Sequence, residues 1–150
     1  MGQDRQVTEE LRRLAEERFI LIESGVVNVS SLLTTNDDAP TNLFRFAVNE
    51  DATVLRVKLT VLAVAEADQS ATWECDYSFM RELASTTVRT VGAGSKDVHK
   101  DAGMTATDVT LSGDADSCIN VDVTGLPASP PNPVQWSLHG IISSYKYVWE

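Results

Sequence analysis

From Phe19 onward the apolar residues recur at every second position, and this rhythm continues almost to the end of the chain. A period of two puts alternate side chains on opposite faces of an extended strand, so each such segment must lay one face on a core. Leu55, Val57, Leu59, Val61 and Ala63 alternate with Val54, Arg56, Lys58 and Thr60, and Trp73, Cys75, Tyr77 and Phe79 alternate with Thr72, Glu74, Asp76 and Ser78. Phe44, Phe46 and Val48 repeat the pattern, as do Ile119, Val121 and Val123, and then Val134, Trp136, Leu138, Gly140 and Ile142. Weaker strands are expected over 19–29, 86–91 and 107–111, while 92–107, GAGSKDVHKDAGMTAT, reads as a surface loop. Some eight strands joined by Asn-, Asp-, Gly- and Ser-rich turns leave no helices for the crossovers that parallel sheets need. The expected fold is mainly β: an antiparallel β-sandwich or jelly-roll-like domain over 19–150 behind a short N-terminal α-helix in an arm of residues 1–18.

The arm carries the one helical pattern. In residues 7–18, VTEELRRLAEER, Thr8 stands as N-cap, Glu9 and Glu10 fall in the first turn, and Arg12, Arg13 and Arg18 follow, which suits the helix dipole. Val7, Leu11, Leu14 and Ala15 form one narrow apolar stripe. A helix of about three turns is marginal alone, so it needs a surface to dock on: the chain's own body, a sister subunit or another protein.

At 150 residues the chain is long enough for one domain with a self-sufficient core. Twelve Lys+Arg against 22 Asp+Glu leave a net charge of −10, which repels phosphate backbones and anionic headgroups; neither nucleic acid nor membrane is an expected partner. The first twenty residues show no secretory leader, and no apolar run reaches the roughly twenty residues a membrane span needs. Cys75 and Cys118 are too few for a disulfide framework and lie in strand-like stretches, which suits buried free thiols.

Motifs that carry chemistry are missing. The only histidines, His99 and His139, do not form a zinc-binding spacing, and there is no G-x-S-x-G elbow, phosphate-binding Gly loop or EF-hand pattern. The carboxylates of Asn36-Asp37-Asp38 and Gly113-Asp114-Ala115-Asp116 read as turn caps. No catalytic residue, metal or cofactor is expected, and the protein is read as non-enzymatic.

Two features point instead to contacts. VDVTGLPASPPNPVQW, residues 121–136, sets Pro127, Pro130, Pro131 and Pro133 between two strands. Proline cannot donate to a central ladder, so this is a stiff connection, either a tie at one end of the domain or a partner-contacting loop. At the C terminus, Tyr145, Tyr147 and Trp149 share one strand face, as core, as subunit interface or as a sugar-stacking surface.

Taken together, the helical arm, WECDYSF, KDAGMTATDVTL, INVDVTGL, the Pro/Asn loop and VQWSLHGIISSY resemble the small β-sandwich structural proteins of tailed-bacteriophage virions, over roughly residues 70–148. Comparable endings occur in head decoration (cement) proteins and in tail-fibre modules. The resemblance implies a virion location, assembly in the host cytoplasm and a homotrimer that clamps the major capsid protein or another virion protein. Val7, Leu11, Arg12, Arg13, Leu14 and Arg18 would then grip the partner, with Pro130, Pro131, Tyr145, Tyr147 and Trp149 as candidate interface. The alternative it implies is a tail-fibre or baseplate module binding a host receptor or glycan.

Overall fold

The computed structural model describes residues 19–149, with eight strands: β1 (Phe19–Thr35), β2 (Thr41–Ala47), β3 (Thr53–Ala65), β4 (Gln69–Arg81), β5 (Val88–Lys100), β6 (Asp108–Gly113), β7 (Cys118–Thr124) and β8 (Val134–Trp149). The expected helical segment 7–18, and the side chain of Trp149, lie outside what is described; among the described residues the helical structure is one 3₁₀ turn, Ala102–Met104. The mainly β, antiparallel expectation holds. Five strands make a sheet in the order β1-β8-β3-β4-β5 and three make another in the order β2-β7-β6, each neighbouring pair antiparallel.

The two-residue rhythm explains how the layers meet. On β3, Leu55, Val57, Leu59, Val61 and Ala63 are buried while Arg56, Lys58, Leu62 and Val64 are exposed. The inward rows of β4 and β8 join them, and from the second sheet Val109, Leu111, Ile119, Val121 and Val123 complete one shared core. Trp73 and Trp136 meet at its centre with ring centroids 5.4 Å apart. Lysines close one side: Lys96 Nζ donates to the Val109 carbonyl at 2.7 Å, and Lys100 donates to the Thr107 carbonyl while lying 5.6 Å from the Trp73 ring centroid. On the other side the Ser31 hydroxyl donates to the Leu43 carbonyl at 2.7 Å.

One expectation needs correction. Residues 92–100 are strand rather than loop, forming the second half of β5. Their alternation is illegible because β5 is an edge strand exposed on both faces, and because Gly92 and Gly94, at φ of 71° and 65°, interrupt its register against β4 between Asp76 and Ser78. The Tyr77 ring lies where a Gly94 side chain would go, 2.5 Å from an ideal Cβ, so the packing itself demands glycine. The strand expected over 19–29 is present and runs on to Thr35 as β1, the longest strand among the described residues.

The end of the domain opposite the proline loop is tied by polar contacts. Asp114 Oδ1 accepts from the backbone N–H groups of Asp116 at 2.9 Å and Cys118 at 3.0 Å, while Oδ2 accepts from Asn120 Nδ2 at 2.7 Å and lies 3.4 Å from Arg45 Nη2. The Asn120 amide, then the Cys118 N–H, hold this carboxyl below the ordinary carboxylate value. A lowered folded-state value means the contribution to stability is complete above the unfolded-state pKa and is lost as pH falls through the folded one. Acidification below about pH 4 should therefore lower the thermal unfolding midpoint, and Asp114→Asn should flatten that part of the curve. Melting curves from pH 7 to pH 2 check this; an unchanged slope in the variant would show that Asp114 carries none of it.

Candidate binding face

Because β3, β4 and β8 send their apolar residues inward, their polar ones form the outer face of the five-stranded sheet. The registers align these residues into rows that cross the sheet. One row runs Ser30, His139, Thr60, Glu74, Asp97 across β1, β8, β3, β4 and β5. All five are polar, and all but the half-buried Thr60 are exposed. The row on one side is Asn28, Ile141, Lys58, Asp76, Ser95, and on the other Leu32, Ser137, Leu62, Thr72, His99. Hydrophobic Ile141, Leu62, Val64 and Leu32 flank the polar band.

Where β3, β4 and β5 meet, the band dips into an open depression of about 370 Å³ lined by Lys58, Thr60, Glu74, Asp76, Ser95 and Asp97. Arg56 fixes one wall by donating from Nη2 at 3.0 Å and Nε at 3.3 Å to the two oxygens of Asp76. That bidentate bond is the main reason the Asp76 carboxyl sits below its ordinary value. Beneath the floor, burial pushes the Cys75 thiol up to about 11, so it is an inert core group. Glu74 and Asp97 are directly opposed on neighbouring strands, a placement that brings Cβ atoms to about 4.5–5.5 Å. Paired carboxylates accept hydrogen bonds from sugar hydroxyls and are also the groups on which glycoside hydrolysis draws. The histidines do not converge: His139 on β8 and His99 on β5 are three strand spacings apart, about 14 Å across the sheet, and lie in different rows.

Of the residues singled out from the sequence, Tyr145 and Tyr147 fall on this outer face, beyond the polar row toward the end of β8, opposite Glu23 and Leu21 of β1. Val7, Leu11, Arg12, Arg13, Leu14 and Arg18 lie outside the described residues. Tyr145 and Tyr147 are half-buried and not core; the Tyr147 hydroxyl accepts from the Leu83 N–H at 3.1 Å, tying β8 to the β4–β5 connection. The proline loop links the two sheets, with Leu126 buried at its base and Pro127, Pro130 and Pro131 exposed at its tip. Gly125 fits there because an ideal Cβ would fall 2.4 Å from Thr35 Oγ1. Ser30, His139, Thr60, Glu74 and Asp97 were missed as a group: in the sequence they are the polar half of separate alternations, and only register aligns them.

No protein-family model matches the chain, and no curated protein matches it. Among solved structures it is similar to the tailspike protein gp49 of Acinetobacter baumannii bacteriophage Fri1, a capsular polysaccharide depolymerase, with a TM-score of 0.35 and 8% identity over 96% of this chain. It is also similar to the tailspike protein of Acinetobacter phage vB_ApiP_P1, with a TM-score of 0.32 and 10% identity over 90% of this chain. The chain spans 23% of the length of each. The expectation of a non-enzymatic protein is corrected by this finding, since a depolymerase is an enzyme; the exclusion of catalysis does not stand.

Proposed function

We propose that this chain is a β-sandwich module of a phage tail fibre or tailspike, carried on the virion, that engages a host-surface glycan through the outer face of the five-stranded sheet. The observation that carries this reading is the uninterrupted polar row Ser30–His139–Thr60–Glu74–Asp97. Neighbouring strands repeat about every 4.8 Å, so hydrogen-bonding groups recur at that interval across the band. An extended polysaccharide offers hydroxyls along its length to match them. Glu74 and Asp97 accept from such hydroxyls, and the net charge of −10 favours neutral or amino-sugar chains over strongly anionic ones. The capsid-clamping reading expected first would grip its partner through the arm residues 7–18, which lie outside the described structure, whereas the tail reading draws on a face that is described.

The test is binding of the purified protein to host-cell surface polysaccharide, by calorimetry, for the wild type and for Glu74→Ala, Asp97→Ala and His139→Ala. Each loss of a hydrogen-bonding group should weaken binding by about five- to thirtyfold, corresponding to about 1–2 kcal/mol. Arg89→Ala, which removes an exposed ion pair to Glu82 away from the band, should bind as the wild type does. Equal affinities for all variants, or preferential capture of phage heads, would sink the proposal.

A further inference from the structure

We infer that β1 is a self-pairing edge: two copies of this chain join antiparallel along it, about a two-fold axis through Val27, into one continuous sheet of ten strands, five from each copy. The inference is independent of the glycan reading and rests on the edge itself.

Unprotected edge strands offer a free row of backbone donors and acceptors, and proteins normally guard them with charges, proline or bulges. Both edges of the five-stranded sheet carry an irregularity, but they differ in charge. β5 carries Arg89, Lys96, Asp97, His99 and Lys100, and its glycine-rich irregularity breaks the line of the strand. β1 is 17 residues long and holds one ionisable side chain, Glu23. Its apolar residues stand in solvent on both faces: Leu21 is 63% exposed and Leu32 80%, with Val26, Ile22 and Val27 exposed as well. Among the described residues none covers these five, although Val29 and Leu33 of the same strand pack against the core.

Their positions fit a second copy of the same strand. Opposed residues in an antiparallel pair share a face. With Val27 facing its own copy, Val26 meets Asn28 and Gly25 meets Val29. The β1 irregularity between Glu23 and Gly25 leaves Ser24 over, which changes the phase of what precedes it. Leu21 then falls on the outer face, as Leu32 does, and the two are opposed, while Ile22 meets Ser31 on the inner face. Without that extra residue Leu21 would point the other way.

Charge agrees with this register. Two chains of net charge −10 repel, so association needs a seam that adds no like-charge contact. Here Glu23 meets Ser30 rather than the other Glu23, and the seam is otherwise uncharged. The two-fold stands normal to the sheet, so both polar bands face the same way. A three-fold arrangement, as the phage resemblance implies, would instead pair β1 with some other surface of its neighbour.

The test is made on the full-length chain. Light scattering should give twice the monomer mass at tens of micromolar, and Leu32→Lys should shift it to a folded monomer whose melting midpoint no longer rises with protein concentration as that of the wild type does. Oxidation of Val27→Cys should produce a covalent dimer, since opposed strand residues lie within disulfide reach. Cys75 and Cys118 are buried and do not compete. Leu32→Cys alone should cross-link at least tenfold more slowly, and a Leu21→Cys/Leu32→Cys double variant should recover the wild-type-register cross-link. A monomer at every concentration, a trimer mass, or Val27→Cys cross-linking no faster than Leu83→Cys on the exposed β4–β5 connection would each overturn the inference. So would a monomer in which the β1 amides that point away from β8 resist hydrogen exchange, which would assign the edge to residues 1–18.

Discussion

Trp136→Ala should lower the free energy of unfolding by about 3–5 kcal/mol, enough to unfold much of a domain whose total is about 5–15. Trp136 is 1% exposed, stacks on Trp73, and donates from Nε1 to the Thr35 hydroxyl at 2.9 Å, joining the end of β1 to the start of β8. Truncation leaves a cavity at the centre of the shared core and strands a hydroxyl that is itself buried. The phenylalanine variants separate these effects. Trp136→Phe keeps most of the volume but orphans Thr35, at about 1–3 kcal/mol. Trp73 Nε1 is buried without an acceptor among the described residues, so Trp73→Phe removes a donor that was already unsatisfied. It should cost less than Trp136→Phe. Urea midpoints for the two variants decide the order, and the reverse order would contradict this account of the core.

Gly140→Ala should be as damaging, at about 3 kcal/mol or more, although it adds one methyl group. An ideal Cβ at Gly140 falls 2.1 Å from the Lys58 carbonyl oxygen and 2.7 Å from Leu59 Cδ2. The first obstacle is backbone, which cannot turn aside as a side chain can. β8 lies inside the sheet, paired with β1 and β3 at this level, so a shift there disturbs both ladders. Gly25→Ala is the control: its nearest neighbour is Ser144 Oγ at 3.9 Å, and it should change folding stability by less than about 0.5 kcal/mol. Thermal melts of both variants provide the comparison; a Gly140→Ala protein as stable as Gly25→Ala would show that the two strands are not so close.

Central strands were legible in the sequence for a physical reason. β3, β4 and β8 each bury one face, so selection for burial writes itself as clean alternation: Leu55 to Ala63, Trp73 to Phe79, Val134 to Ile142. β5 and β1 are edges, where neither face is consistently buried, and there the pattern fades or misleads. The second half of β5 consequently reads as loop. Glycines hide in a similar way, since Gly140 occupies an inward position of its strand and only the approach of Lys58 reveals why. The polar band was illegible because its members come from five strands. Sequence shows which side chains share a face of one strand; register between strands decides which of them are neighbours. Tyr145 and Tyr147, by contrast, announce themselves as aromatic, yet the structure employs Tyr147 to hold a connection.

The location of the binding face is the central claim, and a map tests it more directly than an affinity. Backbone amide resonances of the isotope-labelled protein, followed by NMR as neutral host-surface polysaccharide is added, should move at Ser30, Thr60, Glu74, Asp97 and His139 and at their neighbours on the outer face. Shifts confined to 127–133, or to the three-stranded sheet of β2, β7 and β6, would contradict it.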